Sequence, residues 1–164
     1  MLRTIVVFFL SVVCTLVSAQ VKIRLFSNQS PESALFSVTD GKYILNKFDG
    51  ENLLISKGES VIISRFDGKL AVKSRNSNGF VSDSVILSGL TGNDNFSLRI
   101  NLLTSKRQFY SGDLKCFPDL ETLLMINICD VEKYIAGVVK SEGGSGKNIE
   151  YFKSQAVIAR TYMY

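Results

Sequence analysis

The chain has 164 residues, 46% of them hydrophobic, and a formal net charge of +4, which allows one core, or a small domain with part of another. Its basic residues are scattered, with Lys106-Arg107 the only adjacent pair, so the dense basic patch of a nucleic-acid binder is excluded and only weak attraction to an anionic envelope polymer is supported. Histidine is absent and no cysteine pair has metal-ligand spacing; neither a zinc or iron site nor any other cofactor is expected.

The first residues read as a secretory signal: Arg3 supplies the positive start, residues 5–17 an apolar run, and Val17-Ser18-Ala19 a small-residue cleavage site. Cleavage after Ala19 makes residues 1–19 a signal peptide, leaves no stable membrane span, and sends the protein to the periplasm, cell envelope or exterior. It removes one cation, Arg3, and no acid, leaving 18 Lys and Arg against 15 Asp and Glu.

From 21 to about 104 the pattern is of short β-favouring runs, at 21–26, 42–48, 52–56, 61–66, 70–73, 85–87 and 96–102. Asp40-Gly41, Asp49-Gly50, Asp67-Gly68 and Asn78-Gly79 are turns, because glycine accepts positive φ and Asp or Asn closes the turn locally. The polar stretch 76–94 reads as an exposed linker or long loop, and a boundary near it divides a β-rich region, 20–105, from a second unit, 106–164. In that unit Cys116 and Cys129 lie on two arms of a hairpin turning near Pro118-Asp119. That turn sets Cys116 opposite about residue 121 and Cys129 on the order of 20 Å further along, too far for a disulfide; two buried free thiols are expected.

The last stretch reads as helix, glycine-rich break, helix. Val131, Tyr134, Ile135, Val138 and Val139 recur at helical spacing behind Asp130, a plausible N-cap. Three glycines within 143–146 predict that the helix stops within the segment 141–146, since each costs about 1 kcal/mol relative to alanine. Asn148 then caps a second helix, with Phe152, Ala156, Ala159 and Met163 as its apolar stripe and Lys153 and Arg160 seven apart on one line. The fold class is therefore α+β: β-rich hairpins followed by a strand, a helix, a glycine corner and a helix, with the carboxylate of Glu142 at the corner.

Three pieces of this stretch occur together in order: Ile126-Asn127-Ile128 leading into Glu132 and Tyr134; Gly137-Val138-Val139 leading into Ser141-Glu142; and Lys153-Ser154-Gln155-Ala156-Val157-Ile158-Ala159-Arg160-Thr161-Tyr162. With Tyr110-Ser111-Gly112-Asp113-Leu114 upstream, they resemble the SpoIID/LytB family of stage II sporulation protein D and amidase-enhancer proteins of the bacterial cell wall. The resemblance covers about 106–164. It implies a lytic transglycosylase that cuts peptidoglycan glycan strands, with Glu142 as the catalytic acid and Lys153, Arg160, Gln155 and Ser141 as the substrate-binding set. Each has a plainer alternative: the two cations can snorkel along a helix face, Gln155 can simply be a good helix former, and Tyr134, Tyr151 and Tyr162 serve equally as sugar platforms or as packing. Glycan strands are the implied partner; the alternative is a non-enzymatic glycan-binding module that enhances a cell-wall amidase.

In such an enzyme one carboxyl group protonates the glycosidic oxygen, then takes the proton of the muramyl 6-hydroxyl as that oxygen attacks the anomeric carbon and closes a 1,6-anhydro ring. A second carboxylate, usual in glycosidases, is not needed. A general acid gains from a pKa raised by partial burial. The sequence departs from the family in having Gly143-Gly144 where many members have Met-Pro, and in ending within the second helix, before the family's Cys/His-containing half. The expectation is an incomplete N-terminal part of an enzyme, inactive alone.

Overall fold

The computed structural model describes residues 19–46, 52–75, 77–101, 105–144 and 148–163. Residues 1–18 of the signal sequence and the Asp49-Gly50 turn lie outside them. Twelve strands come first: β1 (Gln20–Leu25), β2 (Ser33–Asp40), β3 (Lys42–Asn46), β4 (Asn52–Ser56), β5 (Ser60–Phe66), β6 (Lys69–Ser74), β7 (Phe80–Ser82), β8 (Val85–Gly89), β9 (Asn95–Ile100), β10 (Gln108–Ser111), β11 (Asp113–Pro118) and β12 (Leu123–Asp130). Two helices close the chain, α1 (Val131–Gly143) and α2 (Ile149–Thr161). The protein is α+β, mostly strand, with both helices after the strands.

The strands form two antiparallel sheets, ordered β1-β12-β11-β8-β3-β4 and β10-β9-β2-β5-β6-β7. Alternation builds the core: in β3 Tyr43 and Leu45 are buried while Lys42 and Asn46 are exposed, and in β5 Val61 and Ile63 are buried. Side chains of both sheets form one cluster, in which Phe36 stacks on Phe96 with ring centroids 4.9 Å apart and Tyr43 meets both edge-on. The Asp67-Gly68 turn has φ of 48° and 70°, the left-handed pair a tight hairpin demands.

Several expectations change. β2, unmarked in the sequence reading, is central, with Ala34 and Phe36 fully buried. The stretch 77–94 is no linker: it supplies β7 and β8, and Val85, Leu87 and Asp94 are buried. β10, β11 and β12 share the two sheets with the strands before 105, so the core continues across that position. The β11–β12 hairpin turns later than expected, pairing Cys116 with Met125. Cys129 is then four residues from that partner, about 14 Å along the strand, and both cysteines are free and buried. Burial pushes the Cys116 thiol up to about 12.

Candidate functional site at the helical corner

The strand-to-helix junction is held from below by a buried amide. Asn127 Nδ2 donates to the carbonyls of Ser111 and Asp113, at 3.0 and 2.9 Å, across the one-residue crossing from β10 in one sheet to β11 in the other. The crossing residue, Gly112, has φ +85°, and a Cβ there would lie 2.2 Å from the Ile128 carbonyl oxygen. Tyr43 Oη donates to the Gly112 carbonyl at 3.0 Å. Asn127 and the Tyr110–Leu114 stretch thus hold one another.

α1 starts where β12 ends. Asp130 Oδ1 accepts from the backbone N–H of Glu132 and Lys133, at 2.8 and 3.2 Å, as an N-cap should. Lys133 Nζ reaches across to the Gly92 carbonyl and Asn93 Oδ1, tying the helix to the loop after β8. That loop is built on Asp94, whose carboxylate accepts from the N–H groups of Lys42, Thr91 and Gly92 at 2.9, 2.6 and 3.1 Å. Burial is the largest single influence on Asp94 and pushes its pKa up. The backbone hydrogen bonds and the Thr91 hydroxyl together outweigh it, holding the carboxyl below its ordinary value.

α1 stops inside the expected segment, running through Glu142 to Gly143, with Gly144 as its C-cap at a positive φ of 60° that favours glycine. The close approach of α2 makes the first of these glycines necessary, because a Cβ on Gly143 would sit 2.5 Å from Cε1 of Phe152. Asn148 caps α2, accepting from the Tyr151 N–H at 2.9 Å. Phe152, Ala156, Ala159 and Met163 are half-buried, and no residue of α2 is fully buried.

Glu142 is exposed and has no hydrogen-bond or ion-pair partner among the described residues, so the partial burial expected of a general acid is not provided by them. It stands in the last helical turn, where the dipole favours cations such as Lys140 rather than carboxylates. At about 100° per residue, Lys133, Tyr134, Gly137, Val138 and Ser141 share one side of α1, and Ile135, Val139 and Gly143 the next. Glu142 falls on the strip between. The first side lines a cleft of about 400 Å³ closed opposite by β1, β10 and β12; the second is buried at the α2 contact of Gly143.

The other expected site residues do not converge on Glu142. Lys153 pairs with Glu150 one turn away, at 2.8 Å and exposed to solvent. Arg160 pairs with Glu132 at the start of α1, about 15 Å along the helix from Glu142. Gln155 is half-buried within α2, and the hydroxyl of Ser141 donates to the Val138 carbonyl at 2.8 Å while its residue lines the cleft. Tyr134 lines the cleft too, Tyr151 lies edge-on to Phe152, and Tyr162 is exposed.

Within this frame, residues 120–164 match the family model SpoIID, described as Stage II sporulation protein. The helical corner is SpoIID-like. Its matched segment starts before β12 and contains both helices, Glu142 and the Glu132–Arg160 pair. The SpoIID domain is associated with sporulation and cell-wall function. No curated protein and no solved structure matches the chain. The cleft was not legible in the sequence, because its walls come from strands near both ends of the β-region; an aromatic at an edge strand, Phe109, was the available signal.

Proposed function

We propose that the protein acts on peptidoglycan glycan strands as a lytic transglycosylase, with Glu142 as its acid and base, in the envelope after export. The observation that carries this is the placement of Glu142: a carboxylate without a partner among the described residues, on an unfavourable helix end, beside an open cleft, in the SpoIID-like segment. Residues that break a local stability rule without structural compensation are concentrated at functional sites. The carboxyl proton passes to the glycosidic oxygen as the C1–O bond breaks; the carboxylate then takes the proton of the 6-hydroxyl, whose oxygen bonds to C1. Lys153 is available to the substrate, since an exposed pair such as Lys153–Glu150 is worth at most about 1 kcal/mol. Ser141 and Gln155 orient the strand, and Arg160 serves through its pair with Glu132.

In the full-length protein, Glu142→Gln is expected to lower formation of 1,6-anhydromuramyl ends on peptide-stripped glycan by about 10²–10⁴-fold with an unchanged melting temperature. Release of peptides only when an amidase is added, with no anhydro ends from the wild type, would instead make the protein an enhancer.

A further inference from the structure

α1 carries an interior glycine that its own packing does not explain. Gly143 is required by Phe152, but a Cβ at Gly137 would meet no atom within 4 Å, and the position has ordinary helical geometry. Glycine is nonetheless the poorest residue after proline for a helix interior. What Gly137 leaves bare is the wall of the cleft between α1 and β10. Phe109, on that edge strand, is 68% exposed, and Tyr134 and Tyr110 also line the space. Burial pushes the Tyr110 phenol up to about 12, so it stays a neutral hydroxyl.

The cleft falls within the size range of small-molecule sites and combines aromatic surface with the hydroxyl of Ser111 and with that of Ser141, whose proton is given to the Val138 carbonyl and whose oxygen can accept. Among the described residues no carboxylate lines it, and the single cation, Lys133, is already committed to Gly92 and Asn93. That chemistry suits an uncharged polyhydroxylated ring, which stacks its C–H face on aromatics and hydrogen-bonds at its edges, better than a charged peptide. We propose that this cleft is a saccharide-binding subsite, with the bare backbone at Gly137 as its floor and Phe109 and Tyr134 as its stacking surfaces, seating an N-acetylhexosamine ring beside Glu142. The ring's identity rests on the glycan reading above; the cleft's capacity for a saccharide does not.

The test is titration of the chain with chitin oligosaccharides, which are uncharged and peptide-free, by calorimetry and by amide chemical shifts. Wild type is expected to bind with shifts at Phe109, Tyr134 and Gly137. Gly137→Leu should weaken binding at least tenfold without lowering the melting temperature, and Phe109→Ala, at an exposed position, about tenfold. Gly137→Ala should raise the melting temperature. Absence of binding by wild type, wild-type affinity in both Gly137→Leu and Phe109→Ala, or displacement of the sugar by an extended peptide pairing with β10 would each overturn the proposal. An active Glu142→Gln variant alongside lost binding in Gly137→Leu would refute the acid and leave the subsite standing.

Discussion

At the scale of single residues, the corner is recognisable because its local chemistry runs against stability. Glu142 lies at the wrong end of α1 for a carboxylate, with no partner among the described residues. Asp94 is the opposite case, an acid used to build. Its folded pKa is lowered, so its stabilisation is present above the unfolded value of about 3.9 and is lost as pH falls through the folded value. Melting temperature should therefore fall as the solution is acidified below about pH 4, and Asp94→Asn should flatten that acid limb; an unaltered limb would exclude Asp94 as its source. Asp130, Asn148 and Glu142 were legible in the sequence because caps and corners are local. The partners of Lys153 and Arg160 were not, since seven-residue spacing gives a common direction along a helix but not the acid waiting there.

At the scale of elements, α2 is lightly buried, with no fully buried residue and with Ile149, Val157 and Tyr162 exposed. Its contact with α1 includes Gly143 against Phe152 at one end and Arg160 with Glu132 at the other. Arg160→Ala is expected to cost about 0.2–1 kcal/mol, read as faster amide exchange in α2 but not in the sheets. The exchanged pair Glu132→Arg with Arg160→Glu should restore protection. Failure of the swap, with function lost in both, would return Arg160 to direct substrate contact. The strands teach a related lesson. β2 carries no clear strand signal because Ser33, Ser37 and Thr39 dilute its apolar run, yet Ser37 is itself buried and hydrogen-bonded to Ser60 at 2.7 Å. Sheet position, set by strands far along the chain, decided its burial.

Across the whole molecule, two six-stranded sheets enclose one core and present a helical hairpin at the end of β12. Asn127 joins these parts, pinning the crossing between the sheets four residues before α1 begins. Asn127→Ala should destabilise the chain by about 1–3 kcal/mol, because the carbonyls of Ser111 and Asp113 lose their buried donor; a denaturation midpoint equal to wild type would show that they find other partners. Among the described residues no helix is long and apolar enough to cross a membrane. The α+β class and the helical corner could be read from periodicity and motif, whereas the joining of 20–105 and 106–164 in shared sheets could not, because pairings such as β1 with β12 are set by no local signal. The proposed chemistry belongs to the corner carboxylate of Glu142. Product analysis by mass spectrometry, on peptide-stripped glycan treated with the full-length protein and its Glu142→Gln variant, tests it most directly. The expected result is 1,6-anhydromuramyl ends from the wild type and almost none from the variant; undiminished anhydro ends from Glu142→Gln would contradict it.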